Sequence, residues 1–125
     1  MRQPFLFVLT VALLLGARLH ALDLSQAAIS LPPNASEVER NAARMLNDEI
    51  VKRTQIRLAR HESTPDHPLI VLATSRDAAP ESFRISIDSS GTQSRVLITG
   101  ADERGVLYGV GHLLRKLDLG KQRCV

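Results

Sequence analysis

The sequence predicts an α/β fold, an α+β sandwich in which a mixed sheet of about five strands is packed by two helices. Three observations predict it. Two long segments repeat apolar residues at the spacing of a helix, and several short segments are apolar or alternate apolar with polar residues. Their order along the chain is β-α-β-β-β-β-α, with no internal repeat. We expect both helices to lie on the same face of the sheet.

Residues 1–21 have the pattern of a secretory signal peptide. Arg2 gives a basic start, the apolar run Phe5–Leu15 follows, and small residues precede Ala21. The run is too short to remain as a membrane span, so we expect no stable membrane anchor. The sequence therefore predicts export to the periplasm or the medium, with cleavage after about Ala21 or, alternatively, after Ala17.

The composition of the chain argues against nucleic-acid binding. The formal net charge is +3, but two of the arginines, Arg2 and Arg18, belong to the predicted signal peptide. No basic stripe with interleaved aromatic residues is present, which argues against nucleic-acid binding.

Cys124 is the single cysteine, so no intrachain disulfide can form. The chain must rely on its apolar core for stability.

The first predicted elements are a strand and a helix. Apolar and polar residues alternate weakly in Leu22–Leu31, which predicts a strand that ends at Pro32. A helix is predicted from about Ser36 to Arg53, and it begins with a capping box. In this motif the Ser36 hydroxyl accepts a hydrogen bond from the first turn, and Glu39 reaches back.

Four strands are predicted next. Apolar and polar residues alternate in Gln55–Arg60, which predicts a half-buried strand. The apolar run Leu69–Ala73 predicts a strand that is covered on both faces of the sheet. Phe83–Ile98 predicts a hairpin with its turn at Asp88–Gly91. Together these segments supply the remainder of the sheet.

The last helix is predicted to anchor the core. It begins at about Asp102 and ends near Gly120, and its apolar stripe consists of Val106, Val110, Leu113, Leu114 and Leu117. Burying one such side chain stabilises a fold by roughly 1.5–3 kcal/mol. We expect residues 22–120 to form the domain and residues 121–125 to form a tail.

Gly100–Gly105 follows a strand and opens a helix, where a phosphate-binding loop would lie. Such a loop needs Lys and then Ser or Thr after its second glycine, but Val106 and Leu107 stand there. Asp102 and Glu103 would also repel an anion. We therefore interpret Asp102 as a helix cap and expect no nucleotide and no other cofactor.

Neither a metal site nor a catalytic site is predicted. Four possible metal ligands lie close together in the sequence, namely His61, Glu62, Asp66 and His67. The helical zinc motif needs two histidines four residues apart, but these two are six residues apart, so a solvated loop is favoured over a metal site. The acidic pairs Asp48-Glu49 and Asp102-Glu103 are sequence neighbours. They cannot face each other across a glycosidic bond at the required separation of about 5 Å or more.

One face of the last helix is a candidate interface. Its residues are Gly105, Tyr108, Gly109, His112 and Arg115, which lie opposite or beside the leucine stripe. Glycine inside a helix costs about 1 kcal/mol relative to alanine, so Gly105, Gly109 and Gly111 indicate close approach to a neighbouring element. The face is either an ordinary solvent-exposed surface or a second packing surface for another domain.

The stretch from Ile98 to Leu117 resembles the end of a small α/β domain in certain glycoside hydrolases. The matching residues are Ile98, Gly100, Asp102, Arg104-Gly105, Tyr108-Gly109 and Leu113-Leu114. The segment SEVERNAARMLNDEIVKRT is similar to the helix that follows the first strand of that domain. The families are the family 20 β-N-acetylhexosaminidases, where it is domain 2, and the family 67 and related α-glucuronidases.

The resemblance implies a structural role. In those families this domain is not catalytic, and the paired acidic residues lie in the barrel that follows it. The implied function is that of an N-terminal domain, or a fragment, of a secreted glycoside hydrolase that packs against a catalytic barrel. An alternative is a stand-alone periplasmic binding or interaction module. The absence of Trp disfavours stacking on a glycan but not protein binding.

Overall fold

The computed structural model describes residues 22–60 and 67–125, and the predicted signal peptide lies outside them. In chain order its elements are β1 (Ala28–Ser30), α1 (Glu37–Thr54), β2 (Ala59–Arg60), β3 (Leu69–Thr74), β4 (Phe83–Asp88), β5 (Arg95–Gly100), α2 (Glu103–Lys116), β6 (Leu119–Gly120) and β7 (Arg123–Cys124). The predicted fold class is confirmed, because a mixed five-stranded sheet is packed by two helices. Among the described residues, no helix is both long and apolar enough to cross a membrane.

The sheet has the strand order β2-β1-β3-β5-β4. Its four strands β2, β1, β3 and β5 run parallel, whereas β4 pairs with β5 antiparallel. Ile70 of β3 stands beside Val96 of β5, and Ile98 of β5 stands beside Ile85 of β4. The predicted hairpin Phe83–Ile98 is thus confirmed, and β4 forms one edge of the sheet.

The core lies between the sheet and the two helices. One face of the sheet contributes fully buried side chains from its three central strands, namely Ile29, Ile70, Leu72, Val96 and Ile98. They belong to one cluster with Leu46 and Ile50 of α1 and with Val106 and Val110 of α2. The two helices also contact each other, which fits the expectation that they share one face.

The expectation that β3 is covered on both faces is wrong for the part of the chain that the structure describes. Ile70 and Leu72 are buried, but Leu69, Val71 and Ala73 between them remain partly exposed. Successive strand residues point to opposite faces, and both helices lie on only one of them. On the second face Val71 stands beside Leu97, its partner on β5.

The predicted first helix and its cap are confirmed. Ser36 is the N-cap, and its hydroxyl accepts a hydrogen bond of 3.1 Å from the Glu39 N–H. Only this half of the capping box forms, because Glu39 Oε2 is buried without a hydrogen-bond partner. At the other end Gln55 takes a left-handed conformation with φ of 64°, and its N–H bonds to the Val51 carbonyl at 2.8 Å.

The predicted strand Gln55–Arg60 shortens to two exposed residues, Ala59–Arg60. The buried side chain of Asn47 on α1 explains this. It accepts a hydrogen bond from the Leu58 N–H at 3.0 Å and donates one to the Leu58 carbonyl at 3.2 Å. Because a side chain occupies both backbone groups, Leu58 cannot pair with a strand.

The end of the chain also differs from the prediction. Helix α2 ends at Lys116 rather than near Gly120, because Leu117 already has extended backbone angles. Leu119–Gly120 then pairs antiparallel with Arg123–Cys124. Cys124 is fully buried, and its carbonyl accepts a hydrogen bond of 2.8 Å from the Leu24 N–H. The expected tail is therefore a hairpin that joins the core.

Candidate domain interface

The start of α2 is fixed by the carboxylate of Asp102. Its Oδ1 accepts the Gly105 N–H at 2.8 Å, which confirms the predicted helix cap, and its Oδ2 accepts the Glu81 N–H at 3.0 Å. These two hydrogen bonds, with the one from Gly105 the stronger influence, lower the pKa of Asp102 below its ordinary value. Arg104 adds an exposed ion pair with Glu81 at 2.9 Å. Asp102 thereby joins α2 to the segment that precedes β4.

Two glycines allow this junction to close. A Cβ atom on Gly100 would stand 2.6 Å from the Asp102 carbonyl oxygen and 2.7 Å from the Gly105 carbonyl carbon. A Cβ atom on Gly105 would overlap the carbonyl oxygen of Ser82, which already accepts the Ala101 N–H at 2.9 Å. The spacing of these glycines thus serves the packing of α2 against its own sheet.

The predicted close approach of helix glycines is confirmed at Gly105 and also at Gly109. A Cβ atom on Gly109 would stand 2.5 Å from Ile98 Cγ2 and 3.5 Å from the Phe83 side chain. Gly111 differs, since its nearest neighbour would be Arg115 Nη1 at 3.7 Å. The prediction is therefore wrong for Gly111 within the described part of the chain.

An apolar surface flanks α2 where the helix lies beside β4. The large apolar side chains that the described residues expose are Tyr108, Phe83 and Ile87, with exposed fractions of 47%, 38% and 64%. His112 is half-buried, and its ring lies 5.5 Å from the Phe83 ring at an angle of 47°. We call the set Phe83, Ile87, Tyr108 and His112 the α2–β4 surface.

The strand extends this surface along the sheet edge. Phe83, Ile85 and Ile87 alternate with polar residues, so all three lie on the face of β4 that the helices share. The four steps along the strand from Phe83 to Ile87 span about 13 Å, which gives the length of the surface along β4. Because β4 is an edge strand, nothing in the described chain pairs with its outer side.

The five residues of the predicted interface divide into two groups. Tyr108 and Arg115 are exposed and His112 is half-buried, whereas Gly105 and Gly109 are buried against the domain's own strands. Their assignment to an interface stays a prediction. Sequence reasoning did not include Phe83 and Ile87 in this surface, although their clean alternation indicated a strand. The missing information was that this strand lies at the edge.

The described residues contain no group of three or more His, Cys, Asp or Glu side chains that could hold a metal ion. Of the possible metal ligands His61, Glu62, Asp66 and His67, only His67 lies within the described residues.

Burial, and secondarily Asp23, raises the pKa of the Cys124 thiol to about 11, so this thiol is not an activated nucleophile.

The order of elements and the junction at α2 define a small α+β domain. The chain belongs to glycosyl hydrolase family 20, domain 2, whose family model matches residues 17–122. No curated protein matches the chain.

Two solved structures share the fold. One is a GH138 enzyme targeting pectin rhamnogalacturonan II, with a TM-score of 0.56, 18% identity and 73% of this chain covered. The other is a family GH115 4-O-methyl-alpha-glucuronidase with specificity for decorated arabinogalactans, with a TM-score of 0.56, 15% identity and 72% of this chain covered. This chain spans 13% of the length of each of them.

Proposed function

We propose that this chain is the non-catalytic N-terminal domain of a secreted glycoside hydrolase, and that it packs against a catalytic barrel through the α2–β4 surface. The observation that carries the proposal is that Phe83, Ile87 and Tyr108, the large apolar side chains exposed in the described residues, all lie along one flank. Apolar residues scattered singly over a surface need no explanation, but a group on one flank marks an interaction site.

The chemistry of the surface suits an interface between domains. Burying a large apolar side chain that is otherwise exposed contributes roughly 1.5–3 kcal/mol. Aromatic side chains with a polar tip, such as Tyr108, are common among the residues that dominate binding energy. His112 and the nearby Arg115 supply hydrogen-bond donors at the margin, where an interface is polar.

The solved relatives support a role within a larger enzyme. This chain corresponds to 13% of each of those chains, so most of each enzyme lies outside the shared domain. Both relatives act on complex polysaccharides according to their descriptions. We therefore propose that the complete enzyme of which this domain forms a part also degrades a carbohydrate polymer.

The hydrogen bonds of Asp102 support the non-catalytic part of the proposal. Glycoside hydrolysis requires two carboxyl groups aimed at one bond. Asp102 instead uses both of its oxygens to hold backbone N–H groups. The purified chain should not release p-nitrophenol from aryl N-acetylhexosaminides or uronic acid from aldouronic acids, and turnover of either substrate would overturn the assignment.

Export rests on the signal-peptide pattern of residues 1–21. Expression of the whole reading frame in a bacterial host with a secretion system should give a product that starts at Leu22, or at Arg18 for the alternative cleavage site. Amino-terminal sequencing of the periplasmic fraction measures this directly. A product found only in the cytoplasm with Met1 intact would contradict export.

The packing role is tested with the catalytic barrel itself. We expect the genomic DNA downstream of this reading frame to encode a family 20 barrel, in frame or after a frameshift. Co-expression of the chain with that barrel should give a complex of one copy of each by size-exclusion chromatography. A downstream region without a barrel, or two separate elution peaks, would contradict the proposal.

A further inference from the structure

A second site lies on a different part of the domain, at the carboxyl ends of β1 and β3. A cleft of about 470 Å³ opens there between the N-termini of the two helices. The residues that give it chemical character are Asn34, Glu39, Thr74, Arg76, Asp102 and Glu103. The crevice beyond the carboxyl ends of parallel strands is where ligands bind in open α/β sheets. Its volume falls in the range of small-molecule sites.

Glu39 is the unusual member of this cleft. Only 6% of the residue is exposed, and its Oε2 atom has no hydrogen-bond partner among the described residues. Buried side-chain oxygens nearly always have a partner, and leaving a charged one without any is costly. Glu39 is among the residues that line the cleft, and its Oε2 is left without a partner because the carboxylate does not complete the capping box with Ser36.

The charges of the cleft select the sign of the ligand. Three residues with carboxyl groups, Glu39, Asp102 and Glu103, line the cleft together with one residue that carries a guanidinium, Arg76. Acidic residues are common in the first turn of a helix because they complement its dipole, which accounts for Asp102 and Glu103. That preference does not supply a partner for the buried oxygen of Glu39. An anion would be repelled, so the ligand carries positive charge.

The spacing of the acidic groups selects the kind of cation. A divalent metal draws several oxygen ligands to within about 2.0–2.6 Å of one point. Within residues 22–60 and 67–125 no three acidic side chains converge closely enough to hold a metal. A guanidinium carries five N–H donors on a planar fork, and an ammonium carries three, so each can serve separated acceptors.

We propose that this cleft binds an organic cation, a guanidinium or primary ammonium group, with Glu39 accepting one of its N–H groups. Asn34 and Thr74 provide further oxygen acceptors on the wall. The group can come from a free small molecule or from a basic side chain of another protein. The site does not involve the α2–β4 surface, so the proposed binding of a cation is independent of the proposed packing against a barrel.

The first test uses the purified chain and two probes that differ in one group. Nα-acetylarginine amide, called arginine amide below, carries the guanidinium as its one charged group, and Nα-acetylcitrulline amide, called citrulline amide below, is its neutral counterpart with a ureido group. In ¹H–¹⁵N correlation spectra, arginine amide should shift the backbone signals of Glu39, Thr74 and Glu103 in a saturable manner, whereas citrulline amide should not. Calcium chloride at the same concentrations should not shift them either.

A matched pair of variants assigns the effect to Glu39. Glu39→Gln should weaken arginine amide binding roughly tenfold or more, since the guanidinium would then donate to a neutral amide oxygen instead of a charged carboxylate. Glu37→Gln removes the same charge from the same helix turn, but at an exposed position, and should bind as the unaltered chain does. Because Glu39→Gln removes a buried charge without a partner, we expect the variant to fold.

A short peptide distinguishes the two sources of the cation. Tighter binding of arginine amide than of the acetylated and amidated peptide Ala-Ala-Arg-Ala-Ala indicates a free small molecule, and tighter binding of the peptide indicates a side chain of another protein. The proposal is overturned if neither probe gives saturable shifts, if Glu39→Gln binds unchanged, or if calcium produces the shifts instead.

Discussion

Gly109 of α2 lies against Ile98 of β5 so closely that a Cβ atom on the glycine would stand 2.5 Å from Ile98 Cγ2. Real Cβ atoms do not approach another heavy atom at this distance. The helix therefore reaches its position over the sheet only because residue 109 has no side chain. Together with Gly105 and Gly100, this contact explains why glycines recur where α2 begins.

The two helix glycines Gly109 and Gly111 should respond in opposite ways to the same substitution. Gly109→Ala forces a methyl group onto Ile98 and should destabilise the fold by about 1–3 kcal/mol, the usual effect of overfilling a core. Gly111→Ala has room for its methyl group and should stabilise the fold by about 0.5–1 kcal/mol through helix propensity. Urea unfolding followed by circular dichroism measures both, and equal shifts would contradict the packing described here.

Asn47→Ala should destabilise the fold by about 1–3 kcal/mol. The reason is that the N–H and the carbonyl of Leu58, both bonded to the Asn47 side chain, would remain buried without a partner. Asn41→Ala on the exposed side of the same helix is the matched control and should change stability little. Thermal unfolding of both variants is the measurement, and similar midpoints for the two would show that the Asn47 bonds contribute nothing.

Asp102 should give the stability of the domain a pH dependence. Its pKa is lowered in the folded chain, so ionised Asp102 stabilises the fold above the ordinary aspartate pKa of about 3.9. This contribution is lost as the pH falls through the lowered value. The difference in melting temperature between the unaltered chain and Asp102→Asn should therefore be largest near neutral pH and should vanish in strong acid. Asp48→Asn, an exposed control, should show a difference that is small at every pH.

Cys124 should resist thiol reagents until the domain unfolds. The residue is fully buried, and burial raises the pKa of its thiol to about 11, so almost no thiolate exists at pH 8. In a Ser89→Cys variant, which adds an exposed thiol, one cysteine should react with Ellman's reagent at once and the other only in denaturant. Immediate reaction of both thiols would contradict the hairpin that places Cys124 in the core.

Features encoded by neighbouring residues were predictable from the sequence. The N-cap at Ser36 and the cap at Asp102 follow from local preferences, and the apolar stripe of α2 follows from helical periodicity. The hairpin of β4 and β5 was likewise visible from alternation around a turn. These signals fix the elements and, with the order β-α-β-β-β-β-α, the fold class.

Features that depend on distant contacts were not predictable. Nothing near Cys124 in the sequence indicates that its carbonyl meets the N–H of Leu24, almost the whole domain away along the chain. The apolar run of β3 does not reveal that only Ile70 and Leu72 face the helices. In the same way, Ile87 belongs to the candidate interface only because β4 lies at the sheet edge. Periodicity gives a residue's face but not what covers that face.

The central claim is that the α2–β4 surface binds a catalytic barrel, and a pair of neighbouring substitutions tests it most directly. Ile87 and Ser86 are both exposed, but they lie on opposite faces of β4. We expect Ile87→Asp to weaken binding of the chain to the barrel encoded downstream at least tenfold, which is about 1.4 kcal/mol, in isothermal titration calorimetry. Ser86→Asp, with the same new charge, should bind as the unaltered chain does. Equal binding by both variants would contradict the account.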